Sequence, residues 1–188
     1  MKFYDLDLVP GRDCGDCTIC CTVMAIDRPE IQKRAGVTCR HCSDQGCAIY
    51  DARPQLCRDF HCGWRQLPIL AESWRPDISG VFTEIEVIED ETAISLVLIG
   101  NPLKTIRQSW FLDFIITGVE GGVPLYLGLP GPDGFQGASL PITTRQMAEA
   151  AATSRAAVKV LLEKELKRLT AHEFEPRTFA YSGKDFGR

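Results

Sequence analysis

The sequence lacks three features that would place the chain in a membrane, outside the cell or on nucleic acid. No run approaches the ~20 apolar residues of a membrane-spanning helix. The start, MKFYDLDLVPG, has acids where a secretory signal has a basic end and an apolar stretch. The 21 Lys and Arg residues against 25 Asp and Glu give a net charge of −4, without the positive field that general nucleic-acid binding needs. We therefore expect a cytoplasmic protein with no membrane contact and no general affinity for nucleic acid.

The sequence also lacks the short motifs of several common enzyme classes. It has no GxGxxG for a nucleotide-linked cofactor, no P-loop, no GxSxG and no HExxH. Catalytic residues are therefore not identified from the sequence.

Cysteine is absent from the last two thirds of the chain, because all nine cysteines fall between Cys14 and Cys62. In a reducing compartment such clustering favours metal ligation over disulfides, and an odd number leaves one partner missing in any all-disulfide scheme. The composition changes after the Pro68 to Gly80 stretch. We predict a cysteine-cluster metal-binding lobe over residues 1–66 and an α+β platform over residues 67–188.

The hydrophobic pattern of the platform alternates between strand and helix periods. It predicts strands at about 81–89, 93–99 and 123–129 and helices at about 103–118 and 144–171, the last capped by Thr143 or Thr144. Shorter helices are predicted at 29–35 and from Pro54. The expected fold class is α+β, with an irregular cysteine-rich lobe packed on a small antiparallel sheet and two main helices, the C-terminal one long.

The cysteine spacing is typical of thiolate metal sites. Two CxxC pairs, Cys17 with Cys20 and Cys39 with Cys42, have 18 residues between them, as in a zinc ribbon. Two zinc ions with four thiolates each would leave one cysteine over, whereas three ions could use nine thiolates if three of them bridge. The candidate ligands for two or three zinc ions are Cys14, Cys17, Cys20, Cys21, Cys39, Cys42, Cys47, Cys57 and Cys62.

An iron–sulfur cluster is the alternative cofactor. The run Cys14-x-x-Cys17-x-x-Cys20 has the first three ligands of a bacterial ferredoxin motif, but Met24 stands where that motif has its fourth cysteine. A remote cysteine such as Cys57 could complete a [4Fe-4S] site.

A thiolate cluster carries negative charge, so cations are expected near it. Arg53 and Arg58 flank Cys57 and are the candidate residues beside the metal, together with Tyr50 if a pocket adjoins it. His41 and His61 each precede a cysteine and are weaker ligand candidates, since the thiols alone suffice.

A longer pattern suggests a family. Cys14-x-x-Cys17-x-x-Cys20-Cys21 is followed by a second segment, Cys47-Ala-Ile-Tyr-x-x-Arg-Pro-x-x-Cys57-Arg-x-Phe-x-Cys62. This order resembles the CxxCxxCC family of zinc- or iron-chelating proteins, the YkgJ-like cysteine-cluster proteins. It is also similar to the cysteine-rich part of flagellin lysine N-methylases, which are associated with an iron–sulfur cluster.

The resemblance covers residues 14–62 and implies metal chelation. We expect a structural multi-cysteine site that supports binding of a protein partner. The alternative is an iron–sulfur enzyme, either an oxidoreductase or a protein-lysine N-methylase. A nucleic-acid-binding zinc module would be consistent with the local arginines but is opposed by the overall acidity.

Overall fold

The computed structural model describes residues 6–29, 31–88 and 90–174. They form helices and sheets, so the predicted α+β class is confirmed. We call residues 6–66 the cysteine region and residues 67–174 the sheet–helix region. The predicted domains, the first short helix and the first strand extend over residues that lie outside the described ones, namely 1–5, 30, 89 and 175–188. Within the described stretches, no helix is both long and apolar enough to cross a membrane.

The cysteine region consists of short elements joined by turns. They are α1 (Ile19–Val23), β1 (Ile26–Arg28), β2 (Ile31–Lys33), β3 (Cys42–Ser43), β4 (Gly46–Cys47), a 3-10 turn (Tyr50–Ala52), α2 (Gln55–Asp59) and α3 (Gly63–Gln66). β1 pairs antiparallel with β2, and β3 pairs antiparallel with β4. Isolated helices this short are not stable in water, so they depend on tertiary contacts.

The predicted short helix at residues 29–35 is wrong, because part of this segment forms β2 and pairs with β1. The side chains also join these strands, since Gln32 Nε2 donates to Asp27 Oδ1 at 3.0 Å. Pro29 therefore lies in the turn between two strands and does not open a helix. The helix predicted from Pro54 is confirmed as α2, for which Pro54 is the N-cap residue.

The sheet–helix region is built around a four-stranded sheet. Its elements are a 3-10 turn (Glu72–Trp74), α4 (Pro76–Ser79), β5 (Val81–Ile88), β6 (Glu91–Leu98), α5 (Pro102–Thr105), α6 (Ser109–Glu120), β7 (Leu125–Leu129), β8 (Ala138–Pro141), α7 (Arg145–Thr153) and α8 (Arg155–Thr170). The strand order is β5-β6-β7-β8. The three predicted strands correspond to β5, β6 and β7, whereas β8 has no counterpart in the sequence prediction.

The sheet is mixed. β5 pairs antiparallel with β6, and β7 pairs antiparallel with β8, as the predicted antiparallel sheet requires. The central pair of β6 and β7 is parallel. The reason is the connection, because α5 and α6 carry the chain back to the end of the sheet at which β6 began.

Both predicted long helices are interrupted. The segment predicted as one helix over 103–118 divides into α5 and α6, with Gln108 in an extended conformation (ψ 136°) before α6. The segment predicted over 144–171 divides into α7 and α8 at Ser154, whose backbone is extended. Ser154 Oγ accepts from Ala157 N at 3.1 Å and caps α8. The predicted cap at Thr144 is confirmed, since its Oγ1 accepts from Met147 N at 3.2 Å.

The main hydrophobic core lies between the sheet and the helices α6, α7 and α8. Trp64, in α3 of the cysteine region, belongs to this core, and Cys62 packs against it. The core therefore anchors the last turn of the cysteine region on the sheet. Its buried members include Leu70, Trp74, Val81, Leu96, Leu98, Ile106, Phe111, Ile115, Leu125, Leu127, Ile142, Met147, Val158, Leu162 and Leu166.

Candidate metal centre

Most of the thiols line a cavity of about 380 Å³ in the cysteine region. Its remaining wall is mainly apolar, and Phe82 of β5 contributes to it from the sheet. Cys42 is buried, at 7% exposure, and does not line this cavity. The eight cysteines that line it are Cys14, Cys17, Cys20, Cys21, Cys39, Cys47, Cys57 and Cys62.

The first cysteine group is positioned by a turn and by α1. Cys17 N donates to Cys14 O at 2.8 Å, which closes the first CxxC turn. Cys20 and Cys21 are the second and third residues of α1, and Cys21 N donates to Thr18 O at 2.9 Å. These bonds place four thiols along a single short stretch of chain.

The second group is positioned by the hairpin of β3 and β4. Cys42 is directly opposite Cys47 in the strand register. Main-chain bonds join this group to α1, since Cys39 N donates to Cys21 O and Cys42 N donates to Cys39 O, each at 2.9 Å. At the start of β4, Gly46 has φ 106°, and a Cβ there would lie 2.9 Å from Gly15 O. Only glycine fits this approach of the hairpin to the first CxxC turn.

Cys57 and Cys62 come from the helices that end the cysteine region. Cys57 is in α2, and Cys62 is the N-cap residue of α3. The main-chain N–H of Arg65 donates to Cys62 O at 2.9 Å, and the N–H groups of Arg65 and Trp64 act to lower the pKa of the Cys62 thiol against the effect of burial. A helix N-terminus is thus already turned towards this sulfur, as suits a thiolate.

Lys33 lies beside the thiols and is fully buried, at 0% exposure. Its Nζ donates to three main-chain carbonyls, Thr22 O at 2.9 Å and Arg34 O and Val37 O at 3.0 Å. Burial lowers the pKa of Lys33 to about 8, and the charges that raise it are those of four cysteines, Cys39, Cys21, Cys20 and Cys42. These thiols are therefore the groups that would supply countercharge to this ammonium when they are ionised.

Arg53 and Tyr50 also line the cavity, as predicted. The guanidinium carbon of Arg53 lies 3.6 Å from the ring centroid of Tyr50, a cation–π contact. Arg53 Nε is buried and has no hydrogen-bond partner among the described residues. This N–H is therefore available as a donor. The charge of Arg53 also lowers the pKa of Cys21 and of Cys57.

The structure does not bring Arg58, the third predicted residue of this set, to the cavity wall. Arg58 is exposed, and its side chain donates to Arg53 O at 2.9 Å and to Asp51 O at 3.1 Å. It therefore holds the main chain of the turn that carries Arg53. Arg58 is therefore not among the residues that line the cavity, because its side chain folds back on its own segment.

Arg65 lies beside a thiol, a position for which the sequence analysis proposed other arginines. Its Nη1 lies 3.9 Å from Cys14 Sγ and 3.2 Å from His61 Nδ1. Its Nε and Nη2 donate to Arg12 O at 3.2 and 3.1 Å, so it ties the first CxxC segment to α3. Of the two candidate histidines, His41 lines the cavity and His61 contacts Arg65.

Neither Lys33 nor Arg65 was singled out by the sequence, although both belong to a local excess of basic residues. The spacing of three residues from Cys62 could have indicated Arg65, because residues i and i+3 are neighbours at a helix start. No sequence signal marks Lys33, since only the pairing of β1 with β2 buries it.

The thiols influence one another through short contacts. Cys20 donates a hydrogen bond to the sulfur of Cys21, which lowers the pKa of Cys21 to about 7 and raises that of Cys20. Burial raises the pKa of Cys57 to about 11, and the charges of Cys21, Cys39 and Cys47 raise it further. Metal ions bind the thiolate, so binding at these buried cysteines would release protons.

Burial also raises the pKa of Cys62 to about 11, and the thiols that raise it further are Cys14 and Cys17. For Cys17 itself burial raises the pKa, while a hydrogen bond to the main chain of Ile19 lowers it. Cys17 also donates to Asp77 at the start of α4. These thiols are therefore neighbours at one end of the cavity.

The donor set fits a thiophilic metal, with soft sulfur ligands in one cavity and cations beside them. Asp27 is the carboxylate in the cavity wall, and it accepts from Gln32. In the described part of the chain, no three His, Cys, Asp or Glu side chains already converge on one metal position. The thiols are thus gathered but not fixed in ligand geometry, and a bound ion would draw them together.

Comparison with models of known protein families, with curated proteins and with solved structures found no match. The resemblance to the CxxCxxCC family therefore stays a prediction that rests on the motif residues between Cys14 and Cys62.

Proposed function

We propose that this protein binds thiophilic metal ions through its cysteine region, as a metal-binding cysteine-cluster protein. The observation that carries the proposal is that eight of nine cysteines, from three separate stretches of chain, line one cavity. Cysteines buried only for packing have no reason to share a cavity wall. All nine cysteines are free thiols in the structure.

The buried cations support an anionic cluster in this cavity. Burying a lysine is costly unless a countercharge accompanies it. At Lys33 the partners of Nζ are neutral carbonyls, and the surrounding thiols are the groups that act on its charge. Thiolates bound to metal would carry negative charge permanently, so they would stabilise Lys33 in its charged form.

Zinc is the first candidate metal. Structural zinc sites take four thiolate or histidine ligands and leave no open position, and they supply folding energy to regions with little core. In this role the cysteine region would act as a rigid unit that supports binding of a protein partner.

A second candidate function, an iron–sulfur enzyme, is favoured by the volume of the cavity. About 380 Å³ falls in the range of small-molecule pockets, ~300–1,000 Å³. The apolar wall formed by residues such as Met24, Ile49 and Phe60 would surround a ligand next to the cluster. The predicted oxidoreductase or N-methylase activity belongs to this alternative.

The deciding experiment is elemental analysis of the full chain, purified without oxygen, together with its visible absorption spectrum. Zinc in a colourless protein supports the first candidate. Iron with matching acid-labile sulfide and a brown colour supports the second, and redox and methyl-transfer assays would follow. A chain with less than one metal ion per molecule would contradict both.

Two variants make this measurement specific to the thiols. Cys20→Ser/Cys21→Ser removes the adjacent pair from α1, and we expect it to lose at least one metal ion per chain. Ser73→Ala is the matched control, because Ser73 is exposed and lies outside the cavity. Equal metal content in both variants would show that the metal is bound elsewhere.

A further inference from the structure

The main-chain contacts of the cysteines divide the nine thiols into two groups. The assignment of a metal centre to each group rests on the proposed metal binding. We infer that the thiols form two adjacent metal centres, one held by Cys14, Cys17, Cys20 and Cys62 and the other by four thiols from the set Cys21, Cys39, Cys42, Cys47 and Cys57. The chain passes from one centre to the other between Cys20 and Cys21.

The first group is assembled by contacts between the N-terminal segment and α3. The turn from Cys14 to Cys17 is closed by a main-chain bond of 2.8 Å. Arg65 brings Cys62 to this turn, because its N–H donates to Cys62 O at 2.9 Å while its Nη1 lies 3.9 Å from Cys14 Sγ. Cys14 and Cys17 are also the thiols whose charges raise the pKa of Cys62.

The second group is assembled by contacts between α1, the β3–β4 hairpin and α2. Cys39 is joined to Cys21 and to Cys42 by main-chain bonds of 2.9 Å. The strand register then places Cys47 opposite Cys42. Cys57 comes from α2, and the thiols whose charges raise its pKa are three members of the same group, Cys21, Cys39 and Cys47.

Each group has its own cations. Arg65 contacts Cys14 of the first group. Lys33 and Arg53 belong mainly to the second, since three of the four thiols that act on the pKa of Lys33, Cys39, Cys21 and Cys42, are in that group. The fourth is Cys20 of the first group, and Arg53 lowers the pKa of Cys21 and Cys57. A divalent ion with four thiolates has a net charge of −2. Separate counter-cations are expected for two such centres.

Cys20 and Cys21 are adjacent in α1 and their thiols are joined by a hydrogen bond, so the two groups of thiols meet at this pair. Their side chains can therefore supply two neighbouring centres. The second group holds one thiol more than a tetrahedral ion binds, which accounts for the odd cysteine that two four-thiolate sites leave over.

Native mass spectrometry of the full chain, purified without oxygen, tests the division by counting metal centres in the folded species. We expect two centres in the wild-type chain, one in Cys62→Ser, and still one in Cys14→Ser/Cys62→Ser, because both substitutions fall in the same centre. Cys47→Ser/Cys57→Ser should also keep one. Cys14→Ser alone replaces Cys62→Ser if that variant does not fold.

The outcomes separate this inference from the proposed function. A wild-type chain with three ions, or loss of all metal in any of these variants, would show one connected cluster and overturn the two centres while leaving metal binding intact. Loss of metal from the Cys14→Ser/Cys62→Ser chain beyond that in Cys62→Ser would likewise overturn it. A wild-type chain without metal would contradict the proposed function itself.

Discussion

The cysteine region and the sheet–helix region are held together by different means. Among the described residues, 21 of the 25 buried apolar side chains belong to the sheet–helix region and four to the cysteine region. The sheet–helix region can therefore fold on its hydrophobic core, whereas the cysteine region has too little apolar surface to bury. Its shape depends on polar contacts and, as we propose, on metal.

Cations make many of the polar contacts of the cysteine region, and two of them each hold three main-chain carbonyls. Lys33 holds three carbonyls within the region. Arg12 is 9% exposed and donates to the main-chain carbonyls of Trp64, Leu67 and Leu70. Arg12 thereby joins the two regions at the point where the chain leaves α3.

The largest difference between the regions should appear when metal is removed. Removal of all metal by chelation should unfold the cysteine region and leave α7 and α8 largely formed, because those helices pack in the hydrophobic core. Hydrogen exchange followed by mass spectrometry would measure this as lost protection over residues 6–66. Unchanged protection there after complete metal removal would contradict the proposed role of the metal.

Sequence periodicity predicted the sheet–helix region better than the cysteine region, for a physical reason. A buried strand or helix must repeat its apolar residues with the period of the element, so the hairpin of β5 and β6 could be read directly. The break at Ser154 could not, since the sequence on both sides favours helix. The parallel pairing of β6 with β7 depends on tertiary packing of the crossover.

In the cysteine region the useful signal was residue identity. The clustering of nine cysteines predicted that their thiols lie together, and eight of them share one cavity. The neighbours of those thiols could not be predicted, because they depend on where each side chain turns. Arg58 follows Cys57 directly and faces its own loop, whereas Lys33 is remote in sequence and lies beside four cysteines.

The junction at Arg12 should show the next largest effect. Arg12→Met removes the donors to three carbonyls and the ion pair with Glu72, and buried groups left without partners cost ~1–3 kcal/mol each. We expect a loss of about 3 kcal/mol in the free energy of unfolding of the metal-loaded chain, measured with urea. Arg145→Met is the control, since Arg145 is 93% exposed and its ion pair with Glu149 contributes ~0.5 kcal/mol or less. Equal losses in the two variants would refute the special role of Arg12.

The smallest effect should come from Glu84, whose carboxyl group is on the same face of β5 as Phe82. At Phe82 the sheet contacts Phe60 of the cysteine region. Burial, with a contribution from Glu86, raises the pKa of Glu84 from its ordinary value of 4.5 to about 7. The folded chain then holds a proton that the unfolded chain releases, so Glu84 should lower stability as the pH rises from about 4.5 to 7. Glu84→Gln should therefore stabilise the protein by about 2 kcal/mol at pH 8 and by much less below pH 4.5. Urea denaturation at both pH values would measure this, with the exposed Glu91→Gln as control. A gain that is the same at both pH values would show that packing, and not the charge of a buried carboxylate, distinguishes Glu84.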